Sequence, residues 1–170
     1  MLVKIISIML ANTYTTDDLV ERIALMRIYF GKRLFSGASE LTVTEVLLGT
    51  CSEHTLATLE RWMEQFRAAA LSPLVVYEAL DSIEEDIAGL PALTFYVPVR
   101  FDDASIERFG TWFRENVEPN LLLTLRIDPK VVGGCAFIWR DVYHDYSLRY
   151  YIDRENAEVF SMFDRYLHAK

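Results

Sequence analysis

The side chains that could carry out chemistry gather near the C-terminal end, where His144, Asp145 and Ser147 follow one another closely. In the triad of many hydrolases, a histidine oriented by a carboxylate takes the proton of a serine hydroxyl. The surrounding residues predict a β-strand, in which successive side chains point to opposite faces, so His144 would face away from Asp145 and Ser147. The chain also has no G-x-S-x-G motif. The pattern therefore argues against a hydrolase.

The sequence also lacks the patterns that are typical of metal and cofactor sites. Cys51, Cys135 and His144 have no neighbouring ligand at the spacing of two to four residues that is typical of metal sites. The two cysteines are more typical of small buried residues than of a disulfide framework. Carboxylates are numerous, but none is distinguishable as a general acid. We predict no catalytic residue, no metal ligand and no cofactor.

The adjacent glycines Gly133 and Gly134 do not form a phosphate-binding loop. Such a loop needs G-x-x-x-x-G-K-[ST], and a dinucleotide-binding turn needs G-x-G-x-x-G at the start of a helix. A β-rich run follows the two glycines instead. We interpret them as a bend that leads the chain into a β-hairpin.

Composition excludes several classes of protein. The chain has 170 residues, of which 52% are hydrophobic, enough for one ordinary domain or two small ones. Its net charge of −8 argues against nucleic acid and anionic lipid as partners. The N-terminal apolar run of about ten residues is too short to span a bilayer of ~30 Å, and no cleavage site follows it. We expect a cytoplasmic protein that reaches a membrane only through another protein.

Residues 1–90 are predicted to form a helical bundle that packs on itself. One helix begins at the capping residues Thr15 and Thr16 and extends to residue 35, where the segment 36–39 interrupts the pattern. Residues 42–50 form a short, weaker segment, and residues 52–70 form a further amphipathic helix. The last helix starts at Ser72 and Pro73 and ends near residue 90. The first ten residues are compatible with a helix or a strand.

Residues 91–170 are predicted to form a small α/β domain, so the fold class is α+β. A βαβ-like unit is predicted from strand 93–99, helix 102–117 and strand 121–127. Its second strand is apolar enough to be covered on both sides. In its helix, Ile106, Phe109, Phe113 and Val117 are expected to face inward. Segments 134–140 and 142–151 then form a hairpin with its turn at residues 140–141. A terminal helix over 153–169 completes the domain.

The segment 128–149 resembles the C-terminal signature of the delta subunit of F-type ATP synthases, called the oligomycin-sensitivity-conferring protein in mitochondria. That signature consists of Asp-Pro, then Gly-Gly, a hairpin, and Asp-Gly-Ser followed by an apolar residue and arginine. The matching positions are Asp128, Pro129, Gly133, Gly134, Asp145, Ser147, Leu148 and Arg149. The order of elements extends the resemblance to residues 91–152. Tyr146 stands where the family usually has glycine, and residues 1–90 are shorter than the family's six-helix bundle.

The resemblance implies a non-catalytic peripheral-stalk subunit, or stator, without cofactors. The N-terminal helical domain would bind the N-terminal segments of the alpha subunits, and the C-terminal domain would bind the ends of the b-type stalk subunits. The protein would lie on the cytoplasmic face of the membrane, held there by the complex. Candidate partner-binding residues on the terminal helix are Phe160, Phe163, Tyr166 and Leu167.

Two other functions are compatible with the sequence. A stand-alone adaptor could share this C-terminal fold, and it would differ from a stator subunit in the proteins that accompany it. A small enzyme could use a cleft between the two halves, which would require a buried cluster of histidine, aspartate or cysteine side chains.

Overall fold

The computed structural model describes residues 2–35 and 41–168, and it confirms the α+β fold class. The first half contains α1 (Leu2–Ala11), α2 (Thr16–Phe35), α3 (Val43–Leu47), α4 (Glu53–Ala68) and α5 (Pro73–Ala88). The second half contains β1 (Ala92–Val97), α6 (Asp103–Asn116), β2 (Leu122–Ile127), β3 (Gly134–Trp139), β4 (Val142–Ser147), α7 (Leu148–Arg154) and α8 (Asn156–Leu167). The predicted interruption at 36–39 and the predicted helix end at residue 169 lie outside the described residues.

The helices of the first half begin where capping side chains predict. The hydroxyl of Thr15 accepts a hydrogen bond from the amide of Asp18 at 3.1 Å and so caps α2. Ser52 and Ser72 cap α4 and α5 in the same way, and Pro73 is the first residue of α5. The segment 2–11, left open between helix and strand, is helical.

The five helices bury one apolar core. Helices α4 and α5 pack against α1, and α5 also packs against α2. Its fully or nearly fully buried side chains include Tyr29, Trp62, Phe66 and Leu80. Burial of such large apolar side chains contributes about 1.5–3 kcal/mol each, so this half contains most of the hydrophobic stabilisation of the fold.

The second half is built on a four-stranded mixed sheet with the strand order β2-β1-β3-β4. Strands β1 and β2 are parallel and are joined through α6, as the βαβ-like unit predicted. Strand β3 is antiparallel to β1 and forms a hairpin with β4. The turn of this hairpin lies at Arg140 and Asp141, whose φ angles of 48° and 63° are typical of a two-residue type I′ turn.

The C-terminal segment departs from the prediction. Strand β4 ends at Ser147 rather than at residue 151, and residues 148–154 form α7. The predicted single helix over 153–169 is instead divided at Glu155, where α7 ends and α8 begins. The cap made by Ser147 explains the early end of the strand, because its hydroxyl accepts a hydrogen bond from the amide of Tyr150 at 3.2 Å.

The prediction of which residues of the βαβ-like unit are buried is only partly correct. The beginning of β2 is buried, but Arg126 and Ile127 at its end are exposed, so the strand is not covered on both sides along its whole length. Phe109 in α6 and Val117 at its C-terminal cap are each 44% exposed, although the helical spacing predicted that both face inward. A single helix cannot cover this face of the sheet, and apolar surface remains open beside it.

The turn between α1 and α2 joins the two halves. The amide of Leu123 donates to the carbonyl of Tyr14 at 2.8 Å, and Thr15 forms a parallel bridge with the same residue of β2. The next residue, Thr16, shares a hydroxyl–hydroxyl hydrogen bond of 3.1 Å with Thr124. The turn therefore covers the outer edge of β2 as a strand-like segment.

Two arginines, one from each half, donate hydrogen bonds to this turn. From α6, the guanidinium of Arg114 donates to the carbonyls of Leu10 and Thr13 at 2.6 Å each and to the carbonyl of Leu121 at 2.9 Å. From α2, Arg22 donates to the Asn12 carbonyl at 2.9 Å and is only 3% exposed. Burial lowers the pKa of both guanidinium groups below the usual arginine value. Both remain charged at neutral pH.

We expect Arg114→Lys to lower the free energy of unfolding by about 2–4 kcal/mol, because an ammonium group cannot reach three carbonyls arranged around a planar fork. Chemical denaturation followed by circular dichroism measures the change. Arg108→Lys is the matched control, since Arg108 is exposed on the same helix. Its effect should stay within about 0.5 kcal/mol. Equal effects of the two substitutions would contradict the role assigned to Arg114.

A second test concerns Gly110, the residue of α6 on which the Tyr14 side chain rests. A Cβ atom at this glycine would lie 2.6 Å from the Cβ and Cγ atoms of Tyr14. Gly110→Ala should therefore destabilise the protein by about 1–3 kcal/mol through overpacking. Gly31→Ala in α2 is the matched control, because nothing lies within 4 Å of that position, and it should stabilise by about 0.5–1 kcal/mol. Destabilisation by Gly31→Ala, or none by Gly110→Ala, would show that this packing does not decide the outcome.

Candidate functional site

The residues of the delta-like signature form the junction between the β-hairpin and α7. A carboxylate oxygen of Asp145 accepts a hydrogen bond from the amide of Ser147 at 2.8 Å. Ser147 is buried and caps α7, and the amide of Leu148 donates to the carbonyl of Gly133 at 3.1 Å. The Asp-x-Ser segment thus ends β4 and sets the direction in which α7 leaves the sheet.

Both glycines of the signature have backbone conformations that favour glycine. The φ angle is +69° at Gly133 and +72° at Gly134. A Cβ atom at Gly134 would overlap the carbonyl oxygen of Tyr146 and lie 3.3 Å from the Cα atom of Ser147. At Gly133 it would make only an ordinary contact of 3.5 Å with Leu148. The pair therefore provides the bend into the hairpin, and Gly134 also permits close approach of β4.

The remaining signature residues shape the turn before the hairpin and the surface after it. Asp128 accepts a hydrogen bond from the amide of Lys130 at 2.9 Å, which closes a turn around the exposed Pro129. Arg149 is exposed and lies 3.7 Å from Asp153 in an ion pair within α7. Exposed pairs of this kind contribute little to stability. These residues bend and orient the chain, and they do not converge on a pocket.

The departure at residue 146 is accommodated without a bulge. Tyr146 pairs with Cys135 in the regular register of β4 with β3. Its ring stacks on that of Phe137 with a centroid distance of 5.6 Å and an interplanar angle of 13°. A side chain at this position thus adds to the apolar face of the sheet.

The candidate catalytic side chains do not come together. His144 pairs with Phe137, whereas Asp145 pairs with Ala136, so the histidine and the aspartate lie on opposite faces of β4 as predicted. Among the described residues, no group of three or more histidine, cysteine or acidic side chains could hold a metal ion. Both cysteines are free, and burial raises the pKa of each thiol, which disfavours the nucleophilic thiolate.

The candidate partner-binding residues lie on one exposed apolar stripe of α8. Helix α8 packs chiefly against the short helix α7. Five large side chains of the α8 stripe are between 61% and 84% exposed, namely Phe160, Met162, Phe163, Tyr166 and Leu167. Single exposed apolar residues are common, but a contiguous set of this size indicates a binding surface.

A second apolar surface, which the sequence did not reveal, is a groove between α6 and the sheet. Its inner part is a cavity of about 310 Å³ between the end of β1 and α6, lined by residues such as Val97, Phe101 and Leu125. Its outer part has a volume of about 680 Å³ and is lined by Phe95, Arg108, Phe109, Trp112, Phe113, Cys135, Phe137 and Tyr146. Phe95, Phe109 and Cys135 line both parts, so the groove is continuous.

The groove offers an apolar surface of the kind to which amphipathic helices bind. Its lining is almost wholly apolar, and Arg108 is the charged residue at its outer part. In the sequence, the groove could have been inferred from the aromatic side chains Phe109, Trp112 and Phe113 of α6, since one small sheet face cannot cover all three.

Among the described residues, no helix combines the length and the apolar character that crossing a membrane requires.

We expect Gly134→Val to lower the free energy of unfolding by at least about 2 kcal/mol, since it combines a positive φ angle with overlap against β4. Gly133→Ala is the matched comparison, because its φ angle is equally positive but the added atom makes only an ordinary contact. It should cost about 1 kcal/mol. Denaturant unfolding of the three proteins measures both values. An unfolding curve for Gly134→Val identical to that of the parent would disprove this account of the bend.

Neither models of known protein families nor curated proteins match this chain. The resemblance to the delta-subunit signature thus rests on the motif and its order, and the function derived from it is a proposal.

Proposed function

We propose that the protein is a non-catalytic peripheral-stalk subunit of an F-type proton-translocating ATP synthase. The observation that carries the proposal is the exposed α8 stripe, which follows α7, the helix that the signature residue Ser147 caps. A surface of this kind suits helix-to-helix binding, in which apolar residues at helical spacing contact a partner.

The C-terminal half is the part that we assign to the b-type stalk. The ends of stalk subunits are helices, and the α8 stripe together with the groove beside α6 offers two apolar surfaces for them. The N-terminal helical half is assigned to the N-terminal segments of the alpha subunits, and this assignment rests on the resemblance alone. Such binding would hold the protein at the cytoplasmic face of the membrane through the complex.

A stator must transmit force between two partners, and the junction between the halves suits this task. Arg114 connects α6 to the carbonyls of Leu10 and Thr13, and the turn that contains Thr13 pairs with β2. Movement of one half relative to the other would break both of these hydrogen bonds to a charged group at once, each worth about 1.5–3 kcal/mol. A force applied to the C-terminal half would therefore be transmitted to the helical half with little movement of one half relative to the other.

Co-purification from gently solubilised membranes of the source cells tests the proposal, with the tag at the N-terminus so that α8 stays free. We expect the parent protein to recover alpha, beta and b-type subunits in near-stoichiometric amounts. Phe163→Gln should retain alpha and beta subunits but lose most of the b-type subunit, because it places an amide in the centre of the α8 stripe. Arg165→Gln, which places the same side chain on the opposite face of α8, should behave like the parent.

Recovery of the protein alone, or with unrelated soluble proteins, would reject the stator role and favour a stand-alone adaptor. Recovery of the synthase subunits with equal loss in both variants would retain the stator role but reject the α8 stripe as the stalk-binding surface.

A further inference from the structure

The same chain has an exposed apolar helix, α8, and an open apolar groove. In the observed conformation α8 does not lie in this groove. The α8 stripe is exposed along its length, and the outer groove contains the half-exposed Trp112 and Phe109. We infer that the isolated protein forms a symmetric dimer, in which α8 of each copy lies in the groove of the other. A two-fold axis makes the contact reciprocal, so each copy supplies one helix and one groove.

The observed conformation favours exchange with a second copy over closure on the same copy. Helix α7 contacts β4, which it directly follows, and is fixed at its start by the cap from Ser147. At the joint, the amide of Glu155 donates to the carbonyl of Tyr151 at 3.0 Å in the last turn of α7, and Arg154 forms an exposed ion pair with Glu155 at 2.9 Å. A second copy can meet α8 as it stands, whereas closure on its own groove requires this joint to change.

The apolar area available is sufficient for a stable dimer. A fully buried aromatic side chain contributes on the order of 150–250 Å², and three of the five side chains of the α8 stripe are aromatic. With the groove walls included, two reciprocal contacts would bury on the order of 1,200–2,000 Å² in total. That range is the size of specific, stable protein–protein interfaces.

A pair of opposite charges favours one orientation of α8 in the groove. Asp164 is four residues after Phe160 and three before Leu167, so it lies beside the α8 stripe. Arg108 lies at the outer part of the groove. Seating α8 in the groove brings these opposite charges together twice in a two-fold dimer. The net charge of −8 on each copy opposes association, but this repulsion is screened beyond ~8 Å at physiological salt.

The inference concerns the isolated chain and does not require the stator role. The dimer test uses the purified protein alone, so its failure leaves the co-purification result untouched.

Sedimentation velocity of the full chain at 0.15 M salt, over a hundredfold range of concentration, measures the dissociation constant of the dimer. We expect a concentration-dependent monomer–dimer equilibrium for the parent. Phe163→Gln should weaken it at least tenfold, and the control Arg165→Gln should change it less than threefold. Arg108→Asp and Asp164→Arg should each weaken it by about threefold or more, and the double variant should recover the parent value.

The native thiol of Cys135 in the groove wall allows the geometry to be tested directly. In a Cys51→Ser background, Leu167→Cys places a second thiol on the α8 stripe and leaves Phe163 in place. Mild oxidation should yield a covalent dimer on a non-reducing gel. The same experiment with Arg165→Cys is the control and should yield little, because that side chain faces away from the α8 stripe.

Three results would overturn the inference. One is a monomer at every concentration, and another is a dimer that Phe163→Gln leaves unchanged. The third is a disulfide within a single chain, which would show that α8 closes on its own groove.

Discussion

The fold depends on the hydrogen bonds that the Arg114 guanidinium makes to three main-chain carbonyls. One of these belongs to Leu10 in the last turn of α1, where carbonyls lack helical partners and the helix dipole is negative. The others belong to Thr13 in the following turn and to Leu121 before β2. One partly buried cation thus satisfies main-chain carbonyls at the end of α1, in the turn that follows it and before β2. No neutral side chain of similar size could replace it, because the fixed fork of donors matches their geometry.

This constraint decides which edge of the sheet is covered. Because Arg114 and Arg22 hold the turn between α1 and α2 in place, Tyr14 and Thr15 lie along β2 and protect that edge. The side chain of Leu122 then enters the core of the helical half. The strands β3 and β4 lie beyond β1, toward the edge of the sheet opposite to the one that the turn covers. Their apolar side chains face a groove that α6 alone cannot fill, so the uncovered surface is a consequence of how the halves are joined.

Local signals in the sequence predicted much of this architecture, and long-range contacts explain the rest. The caps at Thr15, Ser52 and Ser72 and the turn at residues 140–141 depend on hydrogen bonds and φ angles within a few residues. The end of β4 was missed because residues 148–151 have strand-forming side chains, and the cap made by Ser147 overrides that preference. Arg114 resembled an ordinary cation in the last turn of a helix. Two of its three carbonyl partners lie about a hundred residues away, at Leu10 and Thr13, and no local pattern indicates them.

The uncovered surfaces also constrain how the protein can act. The α8 stripe and the groove are apolar and separate, so each can bind a helix, but a copy whose α8 lies in another copy's groove cannot offer either surface to a stalk. Under the two proposals the dimer and the stator compete for the same residues, Phe163 foremost. The concentration of free protein would then set how much is held as dimer, and a stalk helix would have to bind more tightly than a second copy to displace it. A stalk helix with its own acidic residue beside its apolar stripe would satisfy Arg108 as well as Asp164 does, so the charge pair would favour the dimer only over stalk helices that lack such a residue.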